Sequence, residues 1–480
     1  MRKITVLTAM LTLGLFGGIN SCTTDYVTGK RTFSLVSESQ EIAMGREADP
    51  QIIAEYGLYD DPTISAYVSQ LGTRLSKRSQ RSQLDYTFRV VDSPIINAFA
   101  LPGGYVYITR GIMAHFNSED ELAGVMGHEI GHVVARHGAE QMSRQQLAGL
   151  GLGLGSLLSE RFRDFADAAG MGVSLLFLKF SREQESEADL LGVEYSTELG
   201  YNAHRMAAFF ETLKRQSEGS GQALPSFLST HPDPGDREVR VNALADEWQK
   251  KVNYSALNTN PADYLKRLEG MVYGNDPRQG YVENQMFYHP TLRFQFPVPA
   301  SWQVANTPAM VQMISDDKTA AIQLSSRSGD SPRQAADDFI SKNQASVRRQ
   351  QSSTVHGYAA HIVESDIATD SGTLRVLSYF IAKGGAVYVF HGFTTAEAYG
   401  TFASTFTRVM EGFEDVTSAA VLNKKPRRVR VRQATASGDF ASVAKGMGTA
   451  ETMLAEIALL NGRQTGDRVA KGDWLKLVEE

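Results

Sequence analysis

The first half of the chain carries apolar residues at helical spacing. Within residues 37–79, one face repeats an apolar side chain at every third or fourth position. Its clearest members are Ile64, Val68, Leu71 and Leu75. A period near 3.6 residues predicts an amphipathic helix. Residues 86–91 and 103–109 alternate instead, which predicts two short strands, and helical spacing then dominates to about residue 270.

The pattern changes after about residue 275, where strand-like alternation takes over. Residues 294–298 alternate, and two apolar stretches flank Gly384-Gly385, which favours a tight hairpin. A predicted amphipathic helix follows, with Phe402, Phe406, Val409 and Phe413 on one face. We therefore predict a separate α+β domain over residues 275–416. Its order of elements resembles the PsbP-like fold.

The last part of the chain has the pattern of a small βααβ unit. Strand, two short helices and strand are predicted over residues 427–480, after a basic linker over residues 417–426. This order, with Leu460-Asn461-Gly462 near its middle, resembles a LysM module. The resemblance implies either binding of N-acetylglucosamine polymers, as in peptidoglycan, or a docking role in an assembly complex.

The N-terminus has the pattern of an export signal. Residues 1–21 begin with Arg2 and Lys3 and continue with a short apolar stretch, which is typical of a cleaved signal peptide. Cys22 follows in a context that resembles the bacterial lipoprotein box, so we predict lipidation at Cys22 and an outer-membrane location facing the periplasm. The apolar stretches 147–158 and 168–177 are too short to span a bilayer, and we predict that they are buried within the fold.

Composition narrows the class of protein. The chain has 480 residues, which favours two or three domains. Cys22 is the only cysteine, so intramolecular disulfides and cysteine-ligated metal sites are excluded. The net charge of -6 argues against a nucleic-acid partner. The six basic residues within 424–432 indicate either a headgroup or nucleic-acid patch, or a solvated linker entering a strand.

The chemistry centres on His128-Glu129-Ile130-Gly131-His132, an HExxH motif. Ser118 and Glu121 upstream have the spacing of a capping box, so the motif lies on a helix. His128 and His132 then share one helix face and can bind the same metal ion. A catalytic zinc requires a third protein ligand and leaves one position open.

The third ligand must come from elsewhere in the chain. Residues 181–189 form an acidic run, which can be a solvated helix face or can supply a carboxylate ligand. The acidic candidates are Glu183, Glu185, Glu187 and Asp189. Glu185 and Asp189 share a helix face, so one can bind metal while the other orients a histidine. Spacing alone does not choose among the four.

HEIGH followed by SREQESEAD resembles the zinc metallopeptidase family of HtpX and the CAAX prenyl proteases. Asn97–Gly104 (NAFALPGG) and the His231-Pro232 segment with Arg237 match two further blocks of that family. The resemblance implies a mainly α, zincin-type fold of the gluzincin class with a small β-sheet. The chain has no multiple membrane helices, so it is closer to the soluble periplasmic branch.

The same resemblance implies the roles of the site residues. Glu185 is the third ligand of one Zn²⁺ per chain, and Asp189 orients a ligating histidine by a hydrogen bond. Glu129 is the general base, and His231 or Arg237 stabilises the oxyanion; alternatively, His231 caps the metal. If the strand over residues 103–109 is an exposed edge, it would bind the substrate backbone by strand addition. The implied substrate-binding residues are Asn97, Ala98, Phe99, Gly103, Gly104 and Tyr105.

These observations predict a multidomain, lipid-anchored zinc metalloendopeptidase of the bacterial envelope. Its peptidase domain covers residues 22–270, and its substrates are unfolded, misfolded or misassembled envelope proteins. One alternative is an assembly or chaperone-like lipoprotein whose metal site is capped and mostly inactive. Another is a cell-wall-associated factor that uses its C-terminal module.

Overall fold

The computed structural model describes residues 22–143, 180–219, 227, 230–231, 237–369 and 372–480, apart from residues 25, 28, 30 and 258. The predicted signal peptide and the apolar stretches 147–158 and 168–177 lie outside the described residues. The chain has several domains, with a helical N-terminal region and a sheet-rich region after it. Among the helices of the described residues, none is both long and apolar enough to cross a bilayer.

Eight helices lie in the described residues of the N-terminal region. They are α1 (Glu38–Tyr56), α2 (Pro62–Ser76), α3 (Arg110–His115), α4 (Glu119–Val134), α5 (Arg182–Glu198), α6 (His204–Gly219), α7 (Arg237–Lys251) and α8 (Pro261–Arg267). The predicted apolar face over residues 64–75 is the buried face of α2. That helix begins at Asp61, whose carboxylate accepts hydrogen bonds from the backbone N–H groups of Thr63 and Ile64.

Five short strands accompany these helices. They are β1 (Cys22–Thr24), β2 (Arg31–Phe33), β3 (Thr87–Val91), β4 (Ala98–Leu101) and β5 (Tyr105–Thr109). The last three form one sheet in the order β3-β5-β4, in which β5 runs parallel to β3 and antiparallel to β4. The strand over residues 105–109 is therefore central, and β4 lies at the edge.

In the sheet-rich region, the described residues form eleven strands and three helices. Its strands are β6 (Tyr281–Glu283), β7 (Met286–His289), β8 (Phe294–Pro297), β9 (Gln303–Asn306), β10 (Met310–Ile314), β11 (Ala320–Ser328), β12 (Ser346–Val355), β13 (Tyr358–Thr369), β14 (Gly372–Lys383), β15 (Ala386–Thr395) and β16 (Glu414–Asp415). Its helices are α9 (Pro332–Lys342), α10 (Tyr399–Glu411) and α11 (Ala419–Leu422).

Two antiparallel sheets organise these strands. One has seven strands in the order β12-β13-β14-β15-β11-β10-β9, and the other has the order β16-β8-β7-β6. The predicted hairpin joins β14 to β15, with Lys383 paired to Ala386. Gly384 and Gly385 both have positive φ, 62° and 79°, which a two-residue hairpin turn of this twist requires.

The C-terminal segment has the order ββααββ, so the predicted βααβ arrangement is accompanied by two further short strands. It consists of β17 (Arg428–Gln433), β18 (Gly438–Asp439), α12 (Phe440–Gly446), α13 (Leu454–Leu460), β19 (Arg468–Val469) and β20 (Trp474–Glu479). Strand β17 pairs antiparallel with β20, so the two ends of the segment meet. The relation of this segment to LysM modules stays a prediction.

The C-terminal segment shares one hydrophobic core with the N-terminal helices. Phe440, Ile457 and Leu475 are buried in the same apolar cluster as Met126 of α4. The sheet-rich region between them in sequence has separate cores. Residues 427–480 therefore complete the core of the helical region across an insertion of about 140 residues in sequence.

A buried lysine reinforces this junction. Lys476 on β20 is completely buried, and its Nζ donates hydrogen bonds to the carbonyl oxygens of Ala114 and Phe116, at 2.7 and 2.8 Å. Both carbonyls lie at the C-terminal end of α3, where a cation is favoured. Burial lowers the pKa of Lys476, and the nearby carboxylate of Glu121 opposes that lowering.

Three of the six basic residues within 424–432 pair with carboxylates in the described part of the chain. Glu269 forms ion pairs with Arg430 and Arg432, at 3.4 and 3.1 Å, and Lys424 pairs with Glu283 at 3.0 Å. These contacts favour the interpretation of a solvated linker that enters strand β17 over that of a patch for nucleic acid or lipid headgroups.

Candidate metal centre

Helix α4 presents the HExxH motif from inside the core. Its cap is Ser118, whose side chain accepts a hydrogen bond from the backbone N–H of Glu121. The Glu121 carboxylate accepts from the N–H of Asn117 and not from that of Ser118, so half of the predicted capping box forms. His128, Glu129 and the rest of the motif are buried. Apart from the motif's own His128, Glu129 and His132, the second half of this helix is therefore apolar or glycine on all sides.

Glycines let α5 approach this helix closely. A Cβ atom added at Gly192 on α5 would lie 2.8 Å from the backbone nitrogen of His128. A Cβ at Gly131 would lie 3.1 Å from the Cα of Ala188. Only small residues permit this backbone separation, and it brings the carboxylates of α5 within reach of the imidazoles of α4.

Four side chains converge at this contact. They are His128, His132, Glu185 and His231, and their potential ligand atoms all lie within 4.8 Å of one another. The Nε2 atoms of the two motif histidines are 3.0 Å apart. The Glu185 carboxylate lies 3.5 Å from His128 Nε2 and 3.4 Å from His132 Nε2. Of the four acidic candidates in residues 183–189, Glu185 is therefore the one that the fold directs into the cluster.

His231 reaches the cluster from the segment before α7. Its Nδ1 lies 3.0 Å from Glu185 Oε1 and 3.3 Å from His128 Nε2. Its ring stacks on Phe227, with 4.6 Å between the ring centroids. His231 is thus a fourth potential ligand, which corresponds to the predicted capping position.

Asp189 orients His128 from the opposite nitrogen. Its Oδ1 lies 2.9 Å from His128 Nδ1, so the ring can carry a proton on Nδ1 and turn Nε2 toward the cluster. Burial alone would raise the pKa of Asp189, but the guanidinium of Arg237 and the contact with His128 lower it to about 2. Asp189 is therefore an anion at neutral pH.

Two arginines from α7 hold Asp189 in place. Arg237 Nη2 donates to Oδ1 at 2.6 Å, and Arg240 Nη2 donates to Oδ2 at 2.7 Å. The contacts of Arg237 with Asp189 make it a positioning residue in this arrangement, while its predicted role at the oxyanion stays a prediction. Sequence reasoning missed Arg240, although its i+3 spacing from Arg237 places both on one helix face.

His137 orients His132 through a contact that the sequence spacing does not predict. His132 Nδ1 lies 2.9 Å from His137 Nδ1, and His137 Nε2 lies 3.2 Å from the Glu187 carboxylate. Helix α4 ends at Val134, and Arg136 has a positive φ of 59°, which turns His137 back toward the motif. A regular helix would place His137 elsewhere, so spacing alone gave no signal for this contact.

Glu129 lies beside the cluster without belonging to it. It is fully buried, and its two carboxylate oxygens have no hydrogen-bond partner among the described residues. The nearest cationic group is His231, whose Nε2 is 3.5 Å from Oε1. Burial raises the pKa of Glu129, which suits a group that accepts a proton and returns it.

The donor set fits a zinc ion. Three imidazoles and one carboxylate, without cysteine, match the nitrogen and oxygen ligands that zinc accepts in proteins. The Glu185 carboxylate is an anion, because the surrounding His231 and His132 outweigh burial and hold its pKa well below its usual range. The unpartnered oxygens of Glu129 add a buried acceptor beside this set.

The residues predicted to bind substrate are divided between a central strand and an edge strand of the small sheet. Strand β5, which contains Tyr105, is the central strand, so residues 103–109 do not form the exposed edge on which that prediction depends. Gly103 packs against the backbone of α1, and Gly104 packs against Leu84. Apolar and polar residues alternate in the same way in central and edge strands, so only the strand order in the sheet distinguishes the two.

The remaining substrate residues lie on or beside the true edge. Ala98 and Phe99 belong to β4, and Asn97 precedes it. The Asn97 carbonyl accepts a hydrogen bond from the N–H of Thr109, and Asn97 lies 3.5 Å from the hydroxyl of Thr230, next to His231 in sequence. Cys22 lies on β1, which pairs only with β2 among the described strands.

The sequence resembles known peptidases over the part that carries this site. Residues 62–247 match peptidase family M48. The mitochondrial metalloendopeptidase OMA1 of Schizosaccharomyces pombe is 32% identical over 237 residues, which are 47% of this chain and 67% of that protein. The beta-barrel assembly-enhancing protease of Yersinia pestis is 33% identical over 260 residues, and that of Escherichia coli is 30% identical over 236 residues.

The matches to the bacterial relatives are partial. The similar region is 52% of this chain and 52% of the Yersinia pestis protein, and 48% of each for Escherichia coli, so this chain spans about half their length. Among solved structures, the cyanobacterial PsbP of Synechocystis covers 27% of this chain at 14% identity, with a TM-score of 0.24. With two thirds of the OMA1 sequence spanned at this identity, the chain belongs to peptidase family M48, whose members are zinc metallopeptidases.

Proposed function

We propose that this protein is a zinc-dependent endopeptidase that hydrolyses misfolded or misassembled proteins of the bacterial envelope. The observation that carries the proposal is the convergence of His128, His132 and Glu185 beside the buried, unpartnered carboxylate of Glu129. Relatives named as beta-barrel assembly-enhancing proteases support the substrate class.

The site residues divide the work of hydrolysis. His128, His132 and Glu185 would hold the zinc ion, which supplies a Lewis acid for a water molecule and for the scissile carbonyl. Glu129 accepts a proton from the attacking water and delivers it to the leaving amine. Asp189 keeps His128 in one tautomer, and Arg237 with Arg240 keeps Asp189 charged and fixed.

Substrate would bind as an added strand on β4. Residues Ala98–Leu101 form the edge of the small sheet, and an extended peptide can pair with an edge strand through its backbone. Such binding depends little on side chains, which favours unfolded segments as substrates.

The proposal includes three domain assignments. They are a zincin-type fold for residues 22–270, a PsbP-like domain for residues 275–416 and a LysM-like module for residues 427–480.

Metal removal tests the proposed activity. We expect the purified protein to cleave an unfolded substrate such as reduced, denatured casein, because the edge strand selects extended backbone. Chelation should abolish cleavage, and one equivalent of Zn²⁺ per chain should restore it, as measured by fluorescence release and by metal analysis. Cleavage that continues in a zinc-free, chelated sample would contradict the proposal.

We also propose that the protein is anchored by lipid at Cys22 to the outer membrane, on its periplasmic side. The support is the sequence around Cys22, with a charged start and a short apolar stretch before it. The Cys22→Ala variant is expected to move from the membrane fraction to the soluble periplasmic fraction. An unchanged distribution after fractionation would argue for attachment through another part of the chain.

The position of His231 favours a second candidate state, in which the site is capped. A fourth protein ligand closes a zinc site, whereas a catalytic site keeps one position open. We therefore expect His231→Ala to raise the rate of casein cleavage several-fold at unchanged zinc content. A fall in rate would instead assign His231 to the oxyanion, and an inactive wild type with an active variant would favour the assembly-factor alternative.

A further inference from the structure

A cavity of about 750 Å³ lies between the N-terminal helices and the C-terminal segment. Its volume is in the range of small-ligand pockets. Part of its wall is apolar and includes Ile96, Val272 and Leu459. The rest is polar, so the cavity would suit a ligand with one apolar and one polar end.

The polar side of the cavity consists largely of arginine side chains. Four arginines line it, from α3, from α6, from the residue before β17 and from the loop after α13: Arg110, Arg215, Arg427 and Arg463. Glu456 is the one carboxylate among the lining residues. Three of the four arginines also pair with carboxylates outside this lining: Arg110 with Asp92, Arg215 with Glu211 at 3.8 Å and Arg463 with Asp473 at 3.5 Å. A preference for an anionic ligand therefore depends on the guanidinium donors that these pairs leave free.

Two of these guanidinium groups have donors that the protein does not satisfy. Arg110 is 1% exposed; its Nε pairs with Asp92, and its Nη1 donates to the carbonyls of Val272 and Gly274. Its Nη2 is buried without a hydrogen-bond partner among the described residues, and the buried Nε of Arg215 has only the Glu211 carboxylate at 3.8 Å, beyond hydrogen-bond distance. Buried donors are rarely left unpaired in native proteins, so two beside one cavity indicate a missing acceptor.

Arg427 completes the basic wall. It makes no ion pair within the described part of the chain, and its guanidinium lies 5.5 Å from the ring centroid of Tyr273. It is half-buried, so it can reach a ligand without leaving the wall. Arg110, Arg215 and Arg427 thus reach one cavity from three separate parts of the chain.

We propose that this cavity binds the terminal carboxylate of a polypeptide whose last residue is apolar. The planar guanidinium fork matches a carboxylate, and the apolar wall can take the last side chain. The choice of a polypeptide rests on the proposed function and on location. Ile96 lines the cavity, its carbonyl accepts from the N–H of Phe227, and Phe227 stacks on His231 of the metal cluster.

A binding measurement tests the proposal. The full chain carrying Glu129→Gln would be titrated with a short fluorescent peptide that ends in Leu-Phe with a free carboxylate, and with the same peptide as its terminal amide. We expect the amide to bind about tenfold more weakly or worse, because it loses a charge-assisted contact. Equal affinities, or no binding of the acid peptide, would overturn the proposal.

Variants locate the site. Arg427→Gln and Arg215→Gln should each weaken binding of the acid peptide, whereas Arg349→Gln, on the exposed strand β12, should not. Thermal melts show whether each variant is folded, and unchanged affinity in both folded cavity variants would overturn the proposal. Inorganic phosphate should compete poorly; if it displaces the peptide readily, the site is a general anion site. Because the measurement is binding in Glu129→Gln, it is independent of whether the wild type cleaves.

Discussion

Replacing Glu129 by Gln is expected to lower the rate of peptide hydrolysis by about 10²- to 10⁴-fold, the usual contribution of a positioned general base. The amide cannot accept the proton of the attacking water, yet it has nearly the shape of the carboxylate. Glu129 contributes no atom to the cluster of potential ligands, so zinc content should stay unchanged.

The measurement is cleavage of fluorogenic casein together with metal analysis of the same sample. The matched control is Glu183→Gln, an exposed residue at the start of α5 that lies outside the cluster. Retained hydrolysis in Glu129→Gln, with zinc bound, would exclude the assigned role. Loss of zinc in Glu183→Gln would show that the third ligand is misassigned.

The second large effect is expected from Asp189→Asn. Removing the charge deprives the buried Arg237 of its nearest anionic partner and leaves only the Glu185 carboxylate at 3.5 Å. Breaking a buried ion pair typically costs about 3–5 kcal/mol of unfolding free energy. Zinc affinity should fall by about 10- to 100-fold, since the neutral amide oxygen of Asn is a weaker acceptor for His128 Nδ1 than the carboxylate. Urea unfolding and competition with a zinc indicator measure the two effects, and Glu198→Gln on the exposed side of α5 is the control.

The pH dependence of the wild type provides an independent check. The pKa of Asp189 is lowered from 3.8 to about 2, so its contribution to stability is complete above about pH 4 and is lost as pH falls through about 2. Asp189→Asn should lack this part of the acid transition. If the wild type and Asp189→Asn lose stability in parallel between pH 4 and 2, the ion pair of Asp189 with Arg237 does not contribute the stability assigned to it.

The sequence predicted the local parts of the site better than its assembly. His128 and His132 follow from helical spacing alone, since i and i+4 share a face. Choosing Glu185 over Glu183 required a family pattern, because the direction of α5 depends on how closely Gly131 and Gly192 let two helices pack. Such contacts join residues distant in sequence, and no local period records them.

The same limit explains why the position of β5 in its sheet and the contact of His137 with His132 were not predictable. Strand β5 alternates like an edge strand, but it lies between β3 and β4. His137 turns toward His132 because Arg136 leaves the helical region, at φ 59°. The fold of residues 374–395 was predictable in detail, because Gly384-Gly385 specifies its turn locally.

The contact of Lys476 with α3 affects how deletions of this protein should be interpreted. Residues after 426 supply apolar side chains to the core around the HExxH helix, although the two parts are far apart in sequence. A chain shortened at residue 426 would expose that core and leave the carbonyls of Ala114 and Phe116 without their donor. Inactivity of such a fragment would therefore indicate cooperative unfolding, and not the loss of a docking module. The smallest catalytic unit combines two parts of the chain that are separated in sequence.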